Sequence, residues 1–312
     1  MNKLRFGPTG RCLLLIMMLL LPAFLPAVLA EDAAESGQKS YKVGIYLLNV
    51  GKIDLHTSSY DLDFYLWVYS EQDDFTKSKP KIEFMNGKAV LEPITVEPHY
   101  YEARVKGTFL NNLDFHQYPF EQLHLTVAVE GMDERENLIL VADREESGID
   151  GLISIPGWNL IGSTQDVTVH KYPDEKEYSR YVYTMTIERF FISSFLKTIF
   201  PVVIITTIAM LAFWMSPSNF APRIGLGAST LLAAVAAHLS ASSQLPPIGY
   251  LTLLDKIMIV VYALFLNNLL SLVIQMRHVD HDMKEKAVMI NAKMRKLMPI
   301  IVLAVFFALL FV

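Results

Sequence analysis

Along residues 222–244, PRIGLGASTLLAAVAAHLSASSQ, the positions Gly225, Ser229, Leu232, Ala236, Leu239 and Ser243 step by four, three, four, three and four, so they share one face of a helix. That face is small or hydroxylated at both ends and carries two leucines between. Such a face suits a helix lining a narrow water path, with a leucine collar that can dewet and block it. At ~1.5 Å per residue the stretch makes a helix of roughly 34 Å, enough to cross a hydrocarbon core of about 30 Å. Small and hydroxyl residues also favour close packing of a helix inside a membrane bundle, so the stripe alone leaves pore helix and buried bundle helix both open. His238 lies on this segment but off the stripe, where it reads as a helix-contact residue able to titrate near neutral pH.

Other chemistry is scarce. There is no phosphate-cradling glycine loop, nucleophile elbow or zinc-protease motif, so neither an enzyme nor a bound cofactor is expected. His278, Asp280, His281 and Asp282 are spaced like metal ligands but read as solvated linker without further ligands of defined spacing, and no metal is expected.

A pore-like stripe needs a membrane, and the composition points to one: of 312 residues 52% are apolar, and mean hydropathy is +0.32. The length suggests about two domains. Residues 1–30 read as a secretory signal peptide, with Lys3, Arg5 and Arg11 before CLLLIMMLLL and Val28-Leu29-Ala30 as the cleavage site. Its removal takes the formal net charge from −5 to −8 and takes away Cys12, the sole cysteine, which excludes disulfides from the mature chain. Residues 31–40 read as a flexible lead-in. From 41 to 192 the runs VGIYLL, LDFYLWVY, LHLTVAV, LILVA and RYVYTMTI are short, rich in β-formers and divided by turn residues. Leu123, Leu125, Val127 and Val129 alternate with His124, Thr126 and Ala128, as in a strand with one buried face. Many short strands without intervening helices predict an immunoglobulin-like all-β sandwich.

Four membrane-scale segments follow at 193–215, 222–244, 252–275 and 287–312, making a four-helix transmembrane domain over 193–312. The apolar part of the last, 297–312, spans only about 24 Å as a helix, so it tilts, thins the bilayer or ends inside it. Arg277, Lys284, Lys286, Lys293, Arg295 and Lys296 lie between segments three and four, and Arg223 between one and two. The positive-inside rule puts these loops in the cytoplasm and the β domain outside the plasma (inner) membrane.

In this order, an exported sandwich and four membrane helices with a small-residue second helix, the chain resembles the pentameric ligand-gated ion channels, and among them the prokaryotic members that lack the receptor disulfide. Leu113-Asp114-Phe115-His116-Gln117-Tyr118-Pro119-Phe120-Glu121 looks like the family's signature loop, although Leu123 stands where a glutamine is common. Gly157-Trp158, Arg189 at the end of the last strand, Ala221-Pro222-Arg223-Ile224-Gly225-Leu226-Gly227, Leu245-Pro246 and Tyr250-Leu251-Thr252 are similar to further family motifs.

The resemblance implies a homopentamer: four further copies of the chain, set in the lipid bilayer, ring the second helix around an axis. Leu232 and Leu239 then form the gate, and Gly225 and Ser229 line the inner mouth. It implies a coupling cluster of Asp54 and Glu121 around Arg189, and an apolar tip of Phe115, Tyr118, Pro119 and Phe120 touching the stretch from Pro246 to Tyr250. A small-molecule or ionic effector is expected between subunits. The candidate ligand residues are Trp67, Tyr69, Phe84, Arg144, Glu145, Glu146, Tyr172, Tyr178 and Tyr181. Aromatic faces beside carboxylates suit an amine, while Glu145, Glu146, Asp174, Glu175 and Glu177 equally suit calcium or protons as modulators. No nucleic acid is expected as a partner. Ala221-Pro222 replaces the glutamate usual before the pore helix of cation channels, whereas Arg223 resembles an anion-channel residue and the chain is acidic, so the conducted ion stays open. A membrane-anchored sensor or adhesion protein without a pore is the competing class, disfavoured because an anchor needs no hydroxyl-ended face.

Overall fold

A computed structural model describes residues 37–309. The signal at 1–30 and the lead-in up to residue 36 lie outside the described residues. The lead-in ends earlier than expected: β1 (Lys39–Asp54) already begins at Lys39, because Lys39 and Ser40 pair in parallel with Leu138 and Ile139, a long-range pairing that no local pattern reveals.

The strands β2 (Ser59–Tyr69), β3 (Ile82–Phe84), β4 (Gly87–Val96), β5 (Tyr100–Leu110), β6 (Gln122–Gly131), β7 (Leu138–Ala142), β8 (Gly148–Ile149), β9 (Trp158–Lys171) and β10 (Glu177–Arg189) complete the domain. One sheet runs β4-β5-β2-β1-β7 with β8 also on β1, and the other β3-β6-β10-β9. Each of the five apolar runs falls in a strand. On β6, Leu123, Leu125, Val127 and Val129 are buried while His124 is exposed, so the expected alternation holds. Of the strands outside those runs, β4 and β9 are sheet edges with mostly exposed side chains, β3 and β8 are short, and β5 lies inside its sheet between β4 and β2. Tyr60 ties the sheets together: its hydroxyl donates to the carbonyl of Thr126 at 2.7 Å and accepts from the Thr126 amide at 2.8 Å.

After β10 the chain is helical. Among the described residues three helices are long and apolar enough to cross a membrane: α1 (Phe191–Trp214), α2 (Phe220–Ser242) and α3 (Leu253–Asp280). The expectation of four spans is corrected here to three. α4 (Lys284–Leu309) is long, but its first half carries Lys284, Glu285, Lys286, Lys293, Arg295 and Lys296, and its apolar part starts only at Leu297. The linker expected between segments three and four is itself helical apart from 281–283, so His278 and Asp280 stand in the last turn of α3; among the described residues no group of metal ligands forms. α3 starts at a reciprocal cap, with the Asp255 amide donating to the Thr252 hydroxyl and Asp255 accepting from the Thr252 amide. α1 is irregular: a π-helical stretch at Phe195–Ile199 precedes Pro201, and Leu211–Trp214 tightens into a 3-10 turn. Ile208, Ile259, Leu266, Leu270 and Val273 are apolar and exposed, as for side chains facing lipid.

Candidate functional site

The face of α2 predicted from the spacing is the face left uncovered. Gly225, Ser229, Leu232, Ala236, Leu239 and Ser243 are all exposed, Leu232 at 71% and Leu239 at 65%. The opposite stripe, Arg223, Gly227, Thr230 and Ala234, is buried against the other helices. Gly227 gives close packing there: a Cβ would come within 2.8 Å of the end of the Leu269 side chain on α3, which would have to shift. The helix is thus divided, packed on one face and bare on the other, with hydroxyls and leucines on the bare side.

Arg223, which resembles an anion-channel residue in the sequence, is not part of the bare stripe. It is fully buried, with 0% exposure, and ties α2 to α1, α3 and α4. Its Nε donates to the carbonyl of Ala212 at 2.8 Å, and one Nη donates to Gln275 at 3.1 Å and Asn291 at 2.6 Å. No carboxylate is among these partners. Since the guanidinium is turned away from the stripe, Arg223→Met is expected to leave the reversal potential of any current in a salt gradient unchanged. It should lower stability by about 1–3 kcal/mol, because Gln275 and Asn291 lose a buried donor. Recording reversal potential and denaturant midpoint side by side checks both, and a shifted potential with unchanged stability would put the Arg223 charge in the lumen.

At the meeting of strands and helices, the loop between β5 and β6 presses on the start of α3. Amides of Leu253 and Leu254 donate to the carbonyls of His116 and Tyr118, and the Phe115 amide donates to the Tyr250 hydroxyl at 3.0 Å. His116 stacks on Tyr250 with ring centroids 3.9 Å apart, and Phe120 stacks on Phe191 at 4.8 Å. The apolar tip expected to touch the stretch from Pro246 to Tyr250 lies against Tyr250 and the start of α3, and Phe115, Tyr118 and Pro119 are buried because the helical domain supplies the partner surface. Pro246 is half-buried beside Leu245, whose carbonyl meets His56 Nδ1 at 3.0 Å.

Behind the tip, Arg189 pairs with Glu121, whose carboxylate is 1% exposed. Its guanidinium lies 4.6 Å from the Trp158 ring and 5.6 Å from that of Tyr118. Glu121 Oε2 has no protein partner, which makes Arg189 its sole charge compensation among the described residues. Asp54 is not in this cluster. It binds Lys52 at 2.8 Å, and the hydrogen bond from that ammonium holds its carboxyl below the usual range. A strand turn faces its own neighbours more readily than a residue far along the chain, which is why the predicted acid pair reduces to one acid.

Within one subunit the nine ligand candidates do not come together in one place, as residues expected on the two walls of a cleft between subunits need not. Tyr181 is fully buried in the core, where burial pushes its phenol far up. Phe84 packs on Phe64 and Phe109. Trp67 is buried, its indole donating to Asp143 at 3.1 Å; burial would raise Asp143, but this bond and that from Lys42 outweigh it and hold the carboxyl low. Tyr69, Glu145 and Glu146 are exposed, and Arg144 donates to the Gln165 carbonyl. Tyr172 and Tyr178 do meet, edge to face at 5.4 Å, beside a cavity of about 420 Å³ that also reaches Glu83, Glu130, Met132 and Asp174. Glu130 is 2% exposed and binds Arg180 and the Tyr172 hydroxyl, which raises the Tyr172 phenol. Strand alternation points Glu130 outward, and no local pattern reveals that Tyr172 and Arg180 of the β9–β10 hairpin cover it.

Residues 198–304 match the neurotransmitter-gated ion-channel transmembrane region family, about a third of the chain. A proton-gated ion channel of Gloeobacter violaceus is 27% identical over 206 residues, covering 63% of this chain and 56% of that protein. A gamma-aminobutyric acid receptor subunit beta of Lymnaea stagnalis is 22% identical over 50% of this chain and 32% of the relative, and subunit beta-4 of Gallus gallus 23% identical over 56% and 39%. The chain thus spans about half or less of the length of these relatives. They are ion channels and receptor subunits, not enzymes. The matches bear out the resemblance to prokaryotic pentameric ligand-gated channels drawn from the sequence, and with the apolar helices they support a membrane location.

Proposed function

We infer that this chain, a relative of the pentameric ligand-gated channels, is one of five identical subunits whose α2 helices line an ion pore gated by Leu232 and Leu239. The observation that carries this reading is the division of α2: its six-residue stripe is bare in the single subunit while the opposite face is packed. Five such stripes facing an axis give an apolar collar between hydroxyl-lined mouths, which conducts when widened and dewets when narrow. With Arg223 buried and no acid preceding it, the inner mouth carries no charged ring, and selectivity falls to the acidic outer vestibule and to the pore width.

An effector bound in the β domain acts through the buried loop from Phe115 to Glu121, which touches Tyr250, α3 and Arg189 at once. The cavity at Glu130, Tyr172 and Tyr178 offers carboxylates and aromatic faces, so a cation, whether an amine, calcium or a proton, is the class of effector it suits. Orientation follows the basic residues, with the β domain outside the inner membrane.

Cysteine accessibility tests the pore directly. The sole native cysteine lies in the signal, so single cysteines placed in α2 report alone. Ser229→Cys and Ala236→Cys should be blocked by a charged water-soluble thiol reagent in reconstituted vesicles, and Thr230→Cys and Ala234→Cys should not. Equal reaction at all four, or ion flux indifferent to modification of Ser229→Cys, sinks the pore assignment.

A further inference from the structure

α1 carries a lone charge inside its membrane-spanning run. Lys197 lies six residues past Phe191, is exposed, and has no ion-pair or hydrogen-bond partner among the described residues. Ionisable side chains inside a membrane segment mark functional sites by default, unless they reach an interface. The helix opens into its π-helical turn at Phe195–Ile199, centred on Lys197, and such bulges recur at functional positions.

Lys197 borders a cavity of about 270 Å³ between α1, α2 and the end of β10, lined also by Arg189, Ser193, Ser194, Ser240 and Gln244. Among the described residues no carboxylate lines it. The charge of Arg189 is offset by Glu121, so Lys197 leaves the cavity with one positive charge and several hydroxyl donors. That set fits an oxyanion. Beside the polar face of α1 runs a second stripe, Ile192, Leu196, Phe200 and Ile204, spaced by four and exposed, leading from the cavity level deeper into the membrane. Polar pocket and apolar track side by side match an amphiphile with an anionic head.

We propose that the cavity bordered by Lys197 binds the phosphate or carboxylate headgroup of an anionic amphiphile from the leaflet next to the β domain, with its acyl chain along Ile192, Leu196, Phe200 and Ile204. Lys197 supplies the charge, the serines supply hydrogen bonds, and the occupant touches both Tyr118 and the outer end of α2. Any effect on gating rests on the channel reading, but binding does not, so the test reads binding.

Purified full-length protein is titrated in detergent with fluorescent phosphatidylglycerol and, separately, phosphatidylcholine. Wild type should retain the anionic lipid preferentially. Lys197→Gln should weaken that preference about fivefold, the loss of one lysine–lipid contact at a membrane surface, and Lys197→Arg should restore it. Inorganic phosphate and an octyl phosphate serve as competitors. Displacement by octyl phosphate alone supports a lipid source, and displacement by inorganic phosphate supports the same oxyanion site filled from solution. Equal retention of the two lipids, or a preference unchanged in Lys197→Gln, overturns the proposal. So does loss of subunit assembly in Lys197→Gln at constant lipid, which would give Lys197 a carboxylate on a neighbouring copy instead.

Discussion

A Leu232→Ser channel is expected to pass a standing current without effector. Leu232 is 71% exposed in the single subunit, so its truncation costs the subunit little; in the proposed pentamer its apolar contacts are those between copies. Burying a leucine is worth about 1.5–3 kcal/mol, and a collar made by five of them is stable in proportion. If each copy gives up only about 1 kcal/mol, the closed state loses on the order of 5 kcal/mol, which is nearly enough to carry a two-state equilibrium from 1:99 to 99:1. A hydroxyl at the narrowest level also keeps water in the constriction and removes the dewetting barrier. Voltage clamp on planar bilayers reads the result as leak in the variant and silence in wild type at matched protein density. A variant with neither leak nor altered gating removes Leu232 from the gate, and Leu239, two turns further along the same face, becomes the position to test next.

Arg189→Ala should be among the most damaging single changes in the chain. Glu121 is 1% exposed and has Arg189 as its charge partner, so the variant leaves a buried carboxylate without compensation, which costs about 3–5 kcal/mol. Replacing both partners with uncharged groups of similar volume, Glu121→Gln with Arg189→Met, should recover much of that loss, since a buried ion pair is often near neutral against an apolar isostere. The double variant separates structure from coupling. It should assemble and show normal lipid-facing behaviour, yet respond weakly to effector, because Arg189 also bridges Trp158 and Tyr118 next to the loop that bears on α3. Urea unfolding of the three proteins, with flux in vesicles for those that fold, checks the pair. If Arg189→Ala unfolds at the wild-type denaturant concentration, the pair is solvated and contributes little.

Period-based signals were legible from residues alone. The strands over 43–48, 62–69 and 123–129 and the stripe from Gly225 to Ser243 announce themselves because burial on one face imposes a spacing of two or of three and four. Edge strands β4 and β9 do not, since solvent on their faces relaxes the alternation. Helix ends were read short by a few residues at the polar end of α3 and at the start of α4, because charged residues that look like linker also suit a helix rising out of the membrane.

By itself the sequence determined the class of protein: β domain first, membrane helices after, and one helix with a hydroxyl-ended leucine stripe. It determined these because hydropathy and periodicity are local properties. The tertiary structure alone decided what each polar group faces. Arg223 turns into the bundle toward Gln275 and Asn291, Asp54 keeps to Lys52 while Glu121 takes Arg189, the aromatic loop is interior, and Glu130 is roofed by a hairpin. A charged side chain is long and reaches in any direction from its backbone, and its partner is set by elements far away in the chain; no spacing rule carries that information.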